Sequence, residues 1–364
     1  MVDISKVVLV DFNVEHVQAS IGSYKNVLYV TTASDSHATE AQTVFTQLGG
    51  DADRVNVLEL ANSSDGSAIA TQIFNAKKAV SGTAEDFIFV VIDPLIASFP
   101  YADMLNAIYT GETKFIAPNH VIVCVGVACE DSFPPDNLTQ FGNYPIAVKL
   151  YNQTGGNAQA VMAIPAYYAN INLNYTNSVA DYCYTDESAA FGTADYVTIA
   201  SDNYDAATQA NCNWVDKIAN QVVNFGGNLM NGTSITAQFG AIAAENDVVF
   251  AVLNAMLKKQ YLTNGGLNNV VSYIHNALSR YVTNGFLQQN ANYAGDTYVS
   301  GYNGQSITLI KNGALLPVGY FVGTINMSYL SAEDRAAHRF TPIYVFMQTQ
   351  AGARVVEISG TIIE

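Results

Sequence analysis

The residues of this chain best suited to chemistry are its five histidines, its four cysteines and a few adjacent carboxylates. A histidine acts as base or metal ligand when a second such group stands within reach. Here His16, His37, His120, His275 and His338 are scattered, with no HxxxH or HExxH spacing to set two imidazoles on one helix face. His275 lies beside the apolar stripe of a predicted helix and reads as a packed or surface residue. Glu85-Asp86, Glu130-Asp131 and Asp186-Glu187 fall at predicted loops, where solvated turn residues are expected rather than an acid–base pair. Cys124 and Cys129 sit in or beside a buried strand and read as small core residues. No CxxC is present, and pairing of Cys183 with Cys212 stays open. There is no GxSxG elbow and no GxxxxGK[ST] loop, and the first β/α turn reads TTASDSHA where a GxGxxG would stand. No catalytic residue, metal or cofactor is therefore expected, and the chain does not read as an enzyme.

Composition narrows the class. At 364 residues the chain can bury a large core and hold two or three domains. Charged residues make up 13% of it, half the usual share of about 25%. Its surface must then be polar but weakly charged, which suits tight repeated packing. The net charge of −16 argues against nucleic-acid binding, which needs a basic face. No uninterrupted apolar run has the length of a membrane span, so no membrane partner is expected. The opening MVDISKVVLV lacks a basic region followed by an apolar core, so no signal peptide is expected and a reducing interior is the default setting. Between 151 and 247 Lys217 is the one basic residue among many carboxylates; beyond 248 basic residues outnumber acidic ones.

Residues 1–24 read as an N-terminal arm carrying one strand, with Val8, Val10, Phe12 and Val14 on one face. From 25 to 173 strands at 25–32, 54–60, 86–94 and 120–129 alternate with helices at 37–50, 67–82 and 100–112, which implies an open α/β domain. Segments 145–151 and 158–168 are expected to continue its sheet. Residues 174–213 are polar, acidic and rich in Tyr and Asn, and read as an irregular surface insertion. Residues 214–345 form a second domain, opening with a helix-like stretch at 214–225. A helical hairpin follows at 245–261 and 267–284, with Lys258 and Lys259 at the end of its first helix and Arg280 near the end of its second, then short strands. Residues 346–364 read as a C-terminal arm ending in a strand with Val356, Ile358 and Ile362 on one face. Terminal strands have free edges, and free edges invite pairing with another chain.

The run EDRAAHRFTPIYVFMQTQAGARVVEISGTI resembles the C-terminal end of contractile tail sheath proteins of bacteriophages. Asp334, Arg335, Ala336, Ala337, Arg339, Pro342, Ala351, Gly352 and Ala353 take the places of a helix, a proline, a strand and an A-G-A turn, with His338 inserted before Arg339. Upstream, Gly265, Leu267, Asn284, Gly285 and Phe286 fall where the family's C-terminal core domain has its hairpin. The likeness spans about 226–364, is architectural over 1–150 and is lost over 174–213.

The resemblance implies a structural subunit that polymerises as stacked, hexameric rings around a tail tube and contracts to drive it through a host envelope. Its partners would be copies of itself, the tube protein, and baseplate and terminator proteins. Its place would be the virion tail, after assembly in the host cytoplasm. The arm strands through Val8, Val10, Phe12, Val14, Val356, Ile358 and Ile362 would join neighbouring subunits. Arg280, Lys258 and Lys259 would face the tube. Two other readings stand beside this one: a tube or baseplate component of the same machine, and an α/β small-molecule-binding protein.

Overall fold

A strand that is apolar at every position needs cover on both faces, and the runs NVLYVT, FIFVVI and IVCVGVAC receive it. The computed structural model describes residues 8–9, 24–32, 35–60, 64–80, 85–110, 121–129, 135–142, 144–197, 206–218 and 220–349. Strand β1 is the short pair Val8–Leu9. Strands β2 (Asn26–Thr31), β3 (Val55–Glu59), β4 (Phe87–Ile92), β5 (Ile122–Cys129) and β6 (Ala147–Asn152) run parallel in the order β3-β2-β4-β5-β6. Helices α1 (Asp35–Gln47), α2 (Gly66–Val80) and α3 (Tyr101–Tyr109) alternate with them, close to the sequence expectation. Gly49, at φ +93°, takes the left-handed turn that stops α1.

Successive residues of each strand serve different cores. Val27, Tyr29, Phe89, Val91 and Cys124 face α1 and the later helices, while Val30, Val90, Ile92, Val123 and Val125 face α2 and α3. The segment expected to extend the sheet at 158–168 instead forms a helical turn, Ala158–Met162, and then α4 (Ala163–Ala169). Asn157 caps that turn by accepting from the Gln159 amide, and the alanines allow close approach to the sheet. Short apolar runs do not distinguish strand from buried helix.

The helix expected at 214–225 is a β-hairpin, β7 (Trp214–Ile218) with β8 (Gln221–Phe225). Its Trp214 and Phe225 rings stack across the strands at 5.5 Å, the kind of cross-strand pair that favours a sheet. Asn213 ties the hairpin to β6: its amide donates to the Val148 carbonyl at 2.9 Å, and its carbonyl accepts from the Leu150 amide at 2.7 Å. The described parts of 174–213, which are 174–197 and 206–213, hold only short helical turns, and they are not confined to the surface. Tyr182, Glu187 and Phe191 are buried in the core.

Helix α5 (Ile235–Leu257) begins ten residues before the expected 245. Its first half, ITAQFGAIAA, is buried almost all round, so it carries no amphipathic stripe for the sequence to display. By length and composition α5 is apolar enough to cross a membrane. In this fold Phe239, Ile242, Val248 and Val252 lie in the core against α6 (Asn264–Thr283) and the sheet. Phe89 stacks on both Tyr168 and Phe239, which meet each other at a tilt, with centroids 4.8 to 5.9 Å apart, so the α/β part and the helical hairpin share one core.

The remaining elements are antiparallel. Strand β9 (Ala291–Asn292) pairs with β12 (Leu315–Leu316), and β10 (Tyr298–Tyr302) with β11 (Gln305–Ile310). Strand β14 (Ile343–Met347) lies between β1 and β13 (Tyr320–Thr324), preceded by the short helix α7 (Ala332–Ala336). Ser331 caps α7 by accepting from the Asp334 amide.

Candidate assembly surfaces and interior polar clusters

Strand β14 holds the N-terminal strand. Val8 stands opposite Val345 and Leu9 opposite Tyr344, antiparallel, while β13 pairs along the other edge of β14. Past β14 the chain stays anchored: the Gln348 amide donates to the Gly319 carbonyl at 2.8 Å, and the Gln288 amide donates to the Gln348 carbonyl at 2.9 Å. Val10, Phe12, Val14, Val356, Ile358 and Ile362 lie outside the described residues.

The three basic candidates do not form one group. Lys258 and Lys259 directly follow α5 and are exposed at the hairpin tip, next to Leu257 (71% exposed) and Tyr261 (82%). The Lys258 ammonium lies 5.2 Å from the centre of the Tyr273 ring. A shallow recess of about 640 Å³ opens here, lined by both lysines, Tyr261, Asn268 and Asn269. Arg280 sits seven residues, about 10 Å, further along α6 than Tyr273. It points inward, paired with Asp247 of α5, and its Nη2 donates to the Tyr281 hydroxyl at 3.3 Å. The Tyr281 hydroxyl also donates to Asp247.

In open α/β sheets ligands bind outside the strand ends where the strand order reverses, here between β2 and β4. The protein's own side chains meet at that point. Asp93, fully buried just beyond β4, accepts from the Thr31 hydroxyl at 2.7 Å, from the Leu95 amide at 3.0 Å and from the Gln159 amide group at 3.3 Å. His37 Nδ1 lies 2.8 Å from the same carboxylate, and the Tyr29 hydroxyl donates to Gln159 at 2.9 Å. Burial pushes the Asp93 pKa up, but the Thr31, Leu95 and His37 contacts outweigh it and hold the group below its ordinary value. The cluster locks α1 to the end of β4, and it escaped the sequence because its members are far apart in the chain.

A second cluster surrounds Lys149, which is fully buried on β6. Its ammonium lies 2.6 and 2.8 Å from the two Glu187 oxygens, 2.8 Å from the Tyr182 hydroxyl and 3.1 Å from Asn224 Oδ1. Burial depresses the Lys149 pKa, against the pull of Glu187. Glu187 is thus no solvated turn residue. Asp86 is not one either: it is buried and pairs with Lys77 at 2.6 Å. Both carboxylates were expected in solvent because only their sequence neighbours were visible. One signal was present for Lys149, a lysine inside the otherwise apolar IAVKLY.

The other chemical candidates resolve simply. His275 Nδ1 packs at 3.1 Å from the Tyr320 hydroxyl. Cys183 and Cys212 carry free thiols, as do Cys124 and Cys129. Among the described residues no three His, Cys, Asp or Glu side chains converge as a metal site would need.

No sequence-family profile matches this chain, and no curated protein matches it by sequence. Solved structures do. The helical sheath of the anti-feeding prophage in its contracted state superposes with a TM-score of 0.61 at 12% identity, covering 99% of each chain. The PVC sheath complex of an extracellular contractile injection system, also contracted, gives 0.64 at 10% identity, covering 97% of this chain and 96% of that one. At such identities the likeness establishes the fold. This chain has the α/β fold of those sheath subunits along nearly its whole length.

Proposed function

We propose that this protein is the sheath subunit of a contractile tail or injection system, a structural and self-assembling component rather than an enzyme. The observation that carries the reading is end-to-end agreement of fold with two contractile sheath subunits. A shared small domain would leave much of one chain uncovered. The sequence resemblance carried by 333–362 supports the same reading. So does the low charged share, which lets copies pack side by side.

In this proposal subunits stack as hexameric rings around a tube, bounded by baseplate and terminator proteins, in a virion tail assembled in the host cytoplasm. The chain ends reach into neighbouring subunits by strand addition. The basic hairpin tip, Lys258 and Lys259, turns toward the tube. Arg280 is a weaker candidate, because its charge is engaged by Asp247. The exposed part of 174–213 takes the outer face, where its carboxylates stay solvated. Contraction needs no nucleotide, the free energy having been stored at assembly.

Negative-stain electron microscopy of the purified full-length protein tests the proposal. Long hollow cylinders are expected, alone or with a co-expressed tube protein. A protein that stays monomeric at high concentration, with and without the tube protein, overturns it.

A further inference from the structure

Three features of the Lys149 cluster are unusual together. A primary amine is fully buried, it touches a carboxamide, and the carboxylate beside it is also buried. Lys149, Asn224 and Glu187 come from β6, β8 and the segment between them, and all three are at most 2% exposed. Lys149 Nζ lies 3.1 Å from Asn224 Oδ1, so the amide carbon is at most one C=O bond length, ~1.2 Å, farther from the amine than that oxygen is. The carboxamide is held: its Nδ2 donates to the Tyr182 carbonyl at 3.3 Å, while the Asn224 amide donates to Thr185 and its carbonyl accepts from Tyr184. The amine is held too, by Glu187 and the Tyr182 hydroxyl, under the rings of Tyr182 and Phe191 at 5.3 and 5.7 Å.

We propose that Lys149 and Asn224 become joined by an intramolecular isopeptide bond, with Glu187 as proton carrier and ammonia as the product lost. Glu187 takes a proton from the Lys149 ammonium, leaving a neutral amine with a free lone pair. Nζ attacks Cγ of Asn224, and the new C–N bond forms as the C=O π electrons move to Oδ1. The added nitrogen gives up a proton, Nδ2 receives one through the Glu187 carboxyl, and the Cγ–Nδ2 bond breaks. Lys149 and Asn224 are then an amide, Glu187 is again a carboxylate, and ammonium leaves with both protons. No oxidant or external reagent is needed.

The surroundings favour this direction. Burial disfavours the charged amine and depresses its pKa, so the nucleophilic form is nearer at hand than for a surface lysine. The Tyr182 hydroxyl donates to Glu187 at 2.5 Å and keeps the carboxylate aimed at Nζ. Tyr182 and Glu187 also line a recess of about 360 Å³, a route for ammonia to leave. The bond would link the parallel sheet to the β7–β8 hairpin across 75 residues of chain. This inference does not depend on the sheath reading, although a force-bearing subunit is where such a link is useful.

Mass spectrometry of the denatured, reduced full-length protein tests it. The expected mass is lower than that of the linear chain by one ammonia, with trypsin no longer cleaving after Lys149 and a branched peptide joining residues 149 and 224. Asn224→Asp should lose one water instead. Glu187→Gln, checked for folding by circular dichroism, should keep its full mass. Full mass with normal cleavage after Lys149 overturns the proposal. So does a loss of ammonia placed elsewhere, as from a succinimide, or a link that persists in folded Glu187→Gln.

Discussion

Arg280 on α6 reaches across the helical hairpin to Asp247 on α5, and the Tyr281 hydroxyl donates to the same carboxylate. The contact fastens the middle of the long α5 to the second half of α6. It also changes how a charge at 280 is to be interpreted. Arg280→Glu sets two carboxylates against each other and should unfold the hairpin rather than only weaken an interface. Arg280→Ala is expected to cost about 1–3 kcal/mol, less than a fully buried pair because the arginine is partly exposed. Urea denaturation of the single variants and of Arg280→Ala/Asp247→Ala gives the coupling. No coupling would mean that the pair is idle.

Lys258 and Lys259 are the cleaner probes of a tube-facing surface, since both are exposed. The double change Lys258→Glu/Lys259→Glu should lower the unfolding free energy by no more than about 1–2 kcal/mol, from the lost Tyr273 contact and the reversed charge at the end of α5, and leave the subunit folded. Co-sedimentation with tubes should weaken, most at low salt where screening is least. Equal sedimentation at every salt concentration removes the tip from the interface.

Gly240 lies in α5 where a Cβ would overlap the Phe286 ring. Gly240→Ala should destabilise by about 1–3 kcal/mol through overpacking, despite alanine's better helix propensity. Phe286→Leu in the same chain should restore part of the loss, as read from thermal melting. A stabilised Gly240→Ala would show that α5 and the 284–287 turn can separate freely.

Asp93, Asp186 and Asp334 all titrate below the ordinary aspartate value, and of the three Asp93 is the buried one. Its folded-state pKa lies below the ordinary 3.8, so as pH falls the unfolded chain binds the proton first. The stability it contributes is complete above that value and is lost as pH drops through the folded one. Asp93→Asn should cost about 1–3 kcal/mol at neutral pH, where its amide cannot accept from every donor around it. Its midpoint should also fall less steeply than that of wild type below about pH 4. Parallel slopes in urea midpoints over that range would place the acid response elsewhere.

The chain ends can be tested by removal. Deletion of residues 1–16 or 352–364 should leave circular dichroism and the main melting transition near those of the full chain, while cylinders no longer form. The first deletion also removes the β1 pairing with Val345 and Tyr344, so a small loss of stability is expected there. Normal cylinders from both truncations would exclude the arms from assembly.

Periodicity alone determined β2, β3, β4, β5, α1, α2, α3 and α6, because each shows its buried face as a local repeat or an unbroken apolar run bounded by turns. The C-terminal motif at 333–362 also carries the sheath resemblance. What the sequence could not reveal was decided by contacts far apart in the chain. Trp214 and Phe225 select a hairpin over a helix by stacking on each other. The first half of α5 is hidden because it is apolar on all sides. Lys149 finds Glu187 and Asn224, and Asp93 finds His37 and Gln159, only after the sheet and its connections are built. Local patterns report which face of an element avoids water; they do not report which polar group will meet another inside, since that depends on distances set by the whole fold.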